Sequence, residues 1–80
     1  MSILDIDDSY SAFQDGRTDE AIEILPKEIR DFSEFDEYPV FREIEYELTN
    51  ERIKPLEVIY KEIEEICINN SISCSALGIE

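Results

Sequence analysis

The chain has 80 residues, 21 of them acidic and seven basic, so it carries a formal charge of −14 with no histidine to titrate near neutrality. That length allows one domain with a modest core, and charge of this density repels itself while keeping the molecule soluble and monomeric. It disfavours direct grip on nucleic-acid phosphates, which needs lysine and arginine to replace counterions, and an anionic membrane surface likewise.

Apolar residues make up 42% of the chain and recur at helical spacing, which separates it from solvating acidic disorder. The pattern predicts an all-α, mostly helical bundle of three to four short helices over residues 1–70. Residues 71–80 follow as a C-terminal tail or short terminal β-strand. No leader-like opening and no apolar run of membrane-spanning length occurs, so the expected location is cytoplasmic, with Cys67 and Cys74 as free thiols.

After an apolar lead-in from Met1 to Ile6, Asp7 or Asp8 is placed to cap a brief helix through Gln14 that stops at Gly16, with Tyr10 and Phe13 as its buried pair. Thr18 reads as the next N-cap, with Asp19 and Glu20 beside the positive end of the helix dipole. Ile22, Leu25, Ile29 and Phe32 then form one apolar stripe. Pro26 interrupts it, so a kink or a restart is expected there.

Ser33 to Tyr38 reads as a loop. Pro39 suits the first position of a third helix, with Phe41, Ile44 and Leu48 inward and Asn50 near its end. Pro55 repeats the device. Leu56, Ile59, Tyr60, Ile63, Ile66 and Cys67 follow in the clearest amphipathic pattern of the chain, with a Glu57–Lys61 pair on the solvent side. Beyond Asn70 the period changes: Ile72, Cys74 and Ala76 alternate with Ser71, Ser73 and Ser75. That is strand spacing, for a frayed tail or for a strand that pairs with Ser2–Ile6 or with a partner's sheet edge.

Ala12, Gly16, Ala21 and Leu25 resemble the tetratricopeptide pattern, in which a glycine joins two helices and a small residue lies five positions later. No second copy occurs at the family's repeat period, and Thr18 stands where that pattern places an aromatic. The resemblance implies a helix-turn-helix pair of protein-binding type and assigns no functional residue.

Without histidine there is no Ser-His or Cys-His nucleophile and no histidine-ligated zinc. Cys67 reads as a buried small hydrophobe and Cys74 as a tail thiol. Asp5, Asp7 and Ser9 begin like a calcium loop, but Tyr10 stands where the loop needs glycine and Gly16 where it needs glutamate. Acid pairs such as Glu43 with Glu47, or Glu62 with Glu65, read as solvated helix faces. With glycine only at 16 and 78 there is no phosphate loop. No enzyme activity, cofactor or metal is expected.

What stands out is the stretch from Asp31 to Glu47. It holds five of the eight aromatics, Phe32, Phe35, Tyr38, Phe41 and Tyr46, among seven carboxylates and one base, Arg42. Phe32 and Phe41 belong to apolar stripes. Tyr46 lies about 140° around the helix from Phe41, hence on the outer face. Rings supply contact area at low entropic cost and carboxylates supply steering. The expected contact surface is therefore Phe35, Tyr38 and Tyr46 with Glu34, Asp36, Glu37, Glu43 and Glu47 around them, Tyr38 and Tyr46 being the anchors.

The partner this surface fits is a basic protein, such as a nuclease or other nucleic-acid-binding protein, occluded by an acidic inhibitor of the immunity-protein, antitoxin or phage anti-defence type. The alternative is a helical adaptor that grips its partner mainly through hydrophobic contacts. A small core also leaves room for a homodimer.

Overall fold

Gly16 turns the chain between the first two helices of the computed structural model, which describes residues 3–50 and 54–77. Its φ of 82° is the left-handed conformation that glycine adopts without steric cost. From there the Gly16 N–H reaches the Phe13 carbonyl at 3.1 Å and the Arg17 N–H reaches Ala12 at 2.8 Å, the two bonds of a Schellman cap. Helix α1 (Asp7–Gln14) ends by this device and α2 (Thr18–Asp31) begins at once. Thr18 is the first helical residue rather than the cap. Arg17 holds the cap position with no side-chain capping bond, and its guanidinium is instead drawn to Asp15 and Glu20.

Pro26 does not split α2, which runs unbroken across it with the ring buried. The proline nitrogen carries no hydrogen, so the Ile22 carbonyl loses its usual helical donor. Burial of Ala21, Leu25, Pro26 and Ile29 on one face outweighs that loss.

A single 3-10 turn, Phe35–Glu37, lies within the expected loop and leads into α3 (Pro39–Thr49), where Pro39 opens the helix as the sequence indicates and Phe41, Ile44 and Leu48 are buried. Helix α4 (Leu56–Asn69) takes Pro55 as its cap rather than as its first turn residue, and the Pro55 carbonyl accepts from Val58 and Ile59. It buries Leu56, Ile59, Tyr60, Ile63 and Cys67. On its outer side the cation that pairs is Lys54, with Glu62 at 2.8 Å. The expected Glu57–Lys61 ion pair does not form among the described residues.

The end of α4 repeats the cap of α1 with a different residue. Ser71 takes the left-handed position with φ 55°, its N–H lies 3.5 Å from the Ile68 carbonyl, and the Ile72 N–H reaches Cys67 at 2.9 Å. That reversal sends the chain back across the molecule as strand β2 (Ser73–Cys74), which pairs in parallel with β1 (Ile3–Leu4), Ile3 opposite Ser73 and Leu4 opposite Cys74. The result is a mostly helical fold of four helices among the described residues, closed by a two-stranded sheet. Leu4, Ile6, Ile72 and Cys74 are buried with the helix faces in one core, so Cys74 is an interior thiol and not a tail thiol.

Candidate functional site

The acid-rich stretch divides into rings that stack together against the core and one ring, Tyr46, that is left in solvent. Tyr38 closes the 3-10 turn and is half-buried, its ring stacked on Phe32 with centroids 6.0 Å apart and edge-on to Phe41 at 6.1 Å. Phe32 and Phe41 meet edge-on at 5.7 Å and complete a cluster against the core. The expected pairing of Tyr38 with Tyr46 on one outer surface is therefore not what the turn produces: Tyr38 leans inward as the rim of the core. Offset and edge-on ring pairs of this kind stabilise by about 1 kcal/mol beyond the area they bury, which fixes the turn on α3.

Tyr46 is the outward ring, 54% exposed on α3. Two shallow grooves flank it. One, of about 350 Å³, is lined by Phe35, Arg42, Glu45, Tyr46 and Thr49; the other, of about 430 Å³, by Arg42, Glu43, Tyr46 and Glu47. Arg42 sits between them, its guanidinium 5.5 Å above the Phe35 ring and paired with Asp36. The structure thus brings together Phe35, Asp36, Glu43, Tyr46 and Glu47 from the expected set. Glu34 and Glu37 belong to the neighbouring turn but line neither groove.

Charge on this face is uneven. Glu43 holds no ion pair among the described residues, and Glu47 lies 3.8 Å from Lys54 through Oε1 while its Oε2 is buried without a hydrogen-bond partner. Glu45 is committed elsewhere: only 13% of its side chain is exposed, and it clamps Arg30 of α2, whose Nε lies 2.9 Å from Oε1. Arg42 is the residue whose role sequence reading understates. In the sequence it stands as the lone base among seven carboxylates; in the fold it lines both grooves together with Tyr46. Its spacing of four from Tyr46 is the signal that places the two on one face.

A second acidic concavity is not visible as a unit in the sequence. Asp5, Asp7, Asp8, Glu28 and Asp31 line it with Ile3, Phe32 and Ser33. Glu28 reaches across from α2 to cap α1, accepting from the Ser9 N–H at 3.2 Å, while the Ser9 hydroxyl donates to the Ile6 carbonyl. Burial raises the Glu28 carboxyl above its ordinary value, offset in part by the bonds from Ser9. The aspartates that fail as a calcium loop thus meet a glutamate from another helix, a juxtaposition that no local spacing reveals. Among the described residues no cluster of three or more cysteines and acids is arranged to hold a metal ion.

A further groove runs between α2 and α3, lined by Ile22, Pro26 and Leu48 with Glu23, Lys27, Arg30 and Thr49. Among the described residues no helix is long and apolar enough to cross a membrane. No protein-family model, curated protein or solved structure matches this chain.

Proposed function

We propose that the chain is an acidic cytoplasmic inhibitor that binds a basic protein, a nuclease or other nucleic-acid-binding protein, and neutralises it by steric and electrostatic occlusion. The observation that carries this reading is Tyr46, a large ring left in solvent between two grooves, one of them lined by Glu43 and Glu47, on a chain of charge −14. Such a ring buried against a partner acts as an anchor, while Glu43 and Glu47 beside it accept lysine or arginine side chains meant for phosphates. Asp36 and Glu45 hold Arg42 and Arg30, so the cations nearest the site are already neutralised and do not repel a basic partner. The settings that fit this physics are those of an immunity protein, an antitoxin or a phage anti-defence inhibitor.

The second reading is a helical adaptor, favoured by the groove between α2 and α3, whose floor is Ile22, Pro26 and Leu48. The two separate by kinetics on a basic partner recovered by affinity capture. Under the inhibitor reading the association rate falls steeply with added salt while dissociation changes little, and Tyr46→Ala costs ~2 kcal/mol in binding. A flat salt response, with Tyr46→Ala binding normally and Ile22→Ser binding poorly, overturns the inhibitor in favour of the adaptor.

A further inference from the structure

Cys67 lies in the last turn of α4 and Cys74 in β2, and both are fully buried. They meet because of the cap between them. The Ile72 N–H closes on the Cys67 carbonyl at 2.9 Å and Ser71 adopts φ 55°, so the chain reverses and returns Cys74 over the helix end it has just left. Both thiols are free and buried in the same core, where each is the largest influence on the other's titration.

We propose that Cys67 and Cys74 form a redox-active dithiol that closes to an intramolecular disulfide, with a soluble disulfide of the glutathione class as the electron acceptor, stapling β2 to the end of α4. This site is separate from the Tyr46 surface and does not depend on any reading of it. Two buried cysteines seven apart in sequence are ordinarily inert small hydrophobes. Here both are fully buried in one core, and the short reversal that joins them returns Cys74 to the helix end that carries Cys67.

The chemistry is asymmetric. The Cys67 S–H donates to the Cys74 sulfur, and the backbone N–H groups of Ala76 and Leu77 also point to it, which together hold the Cys74 thiol below its ordinary value. Cys67, which gives up that hydrogen bond on ionising and is buried besides, is pushed up. Cys74 is therefore the attacking thiolate and Cys67 the resolving thiol.

Access comes from β2 itself, a two-residue strand held to β1 by a short ladder and by the Ser75 N–H at 3.4 Å from Leu4; elements held by so few backbone bonds open locally at low cost. On opening, the Cys74 sulfur attacks one sulfur of oxidised glutathione and expels glutathione thiolate. The Cys67 sulfur then attacks Cys74 Sγ and expels the second glutathione as the strand redocks. The two cysteine protons end on the two glutathione sulfurs, so one disulfide is reduced for the one that forms.

The test is the thiol–disulfide equilibrium of the full chain in graded mixtures of reduced and oxidised glutathione, in native buffer and in denaturing urea. Acid quenching and intact-mass measurement then count the loss of two hydrogens. Pre-positioning in the fold predicts that the native chain forms its disulfide at a glutathione poise ~10-fold or more further towards reducing than the unfolded chain, a shift of ~30 mV. Equal poise in the two states overturns the proposal, as does greater resistance to oxidation in the folded chain. So does an end product in which Cys74 keeps a bound glutathione or two chains are cross-linked.

Discussion

Tyr60 shows how much chemistry one buried side chain gathers from elements far apart in sequence. Its ring is 4% exposed, edge-on to Tyr10 at 5.2 Å and 5.0 Å from Phe13, while its hydroxyl is buried without a hydrogen-bond partner. Burial pushes its pKa to about 12. The folded chain thus keeps a proton that the unfolded chain releases near the ordinary value of 10.0, so stability is lost as pH rises from 10.0 through about 12. Tyr60→Phe removes the orphaned hydroxyl and should raise stability by about 1 kcal/mol at neutral pH, since an unsatisfied buried group costs more than it returns. The variant should also lose the alkaline step. Urea melts at neutral pH and near pH 11 check both, and a lower midpoint for Tyr60→Phe at neutral pH would mean that the hydroxyl is paired. The ring was legible as core from its spacing to Leu56 and Ile63, but its raised pKa was not, because the burial that causes it is completed by Tyr10 and Phe13 from another helix. Tyr46 was legible for the converse reason: helical geometry alone turns it outward. Tyr38 was not, because a 3-10 turn, and no feature of local composition, rotates its ring onto Phe32.

At the scale of elements, helix ends carry most of what the sequence concealed. Two Schellman caps have the same bonds, yet only the one at Gly16 announces itself; at the other, Asn69 and Asn70 look like the natural left-handed residues and Ser71 takes the position. A β-carbon in that conformation costs roughly 1 kcal/mol or more. Ser71→Gly should therefore stabilise the fold by about 1 kcal/mol, read as a higher urea midpoint. No gain would mean that the serine side chain repays its strain. The cap on α1 is supplied by Glu28, whose raised pKa records a carboxylate desolvated more than it is hydrogen-bonded. The folded chain then holds a proton above the ordinary value of 4.5, so this group's contribution to stability falls as pH rises from 4.5. Glu28→Gln keeps an oxygen for the Ser9 N–H and removes the charge. Its stability relative to the native chain should grow as pH rises from 4.5 towards neutrality, in urea melts across that range. The reverse slope would show that the cap outweighs the desolvation. By contrast α4 needed no partner to be read, because its apolar face is continuous and Pro55 marks its start to within one residue.

Over the whole molecule the governing fact is a charge of −14 spread over a body of 30 × 24 × 19 Å. Its radius of gyration, 11.4 Å, is that of an ordinary packed domain of this length, so the core closes against substantial repulsion. Opposing that repulsion are surface ion pairs: Arg17 with Asp15 and Glu20, Arg30 with Glu45, Arg42 with Asp36, and Lys54 with Glu47 and Glu62. Exposed pairs contribute ~0–1 kcal/mol each, and salt screens them as well as the repulsion, though not to the same degree. Attraction and repulsion therefore pull the salt response in opposite directions, and their magnitudes decide the sign. Raising sodium chloride from ~20 mM to ~200 mM shortens the screening length from ~20 Å to ~7 Å, from about the width of the molecule to well below it. Pairs in contact lose little over that change, whereas repulsion summed across the body loses most of its strength. Stability should accordingly rise with salt, seen as a higher urea midpoint with an unchanged slope. Glu64→Gln with Glu65→Gln, at two exposed acids that hold no ion pair among the described residues, should raise the low-salt midpoint and shrink the response. A midpoint that falls with salt would show that attraction within the contact pairs outweighs the summed repulsion. The acidity would then be locally compensated and would leave no reserve of repulsion for a basic partner to relieve.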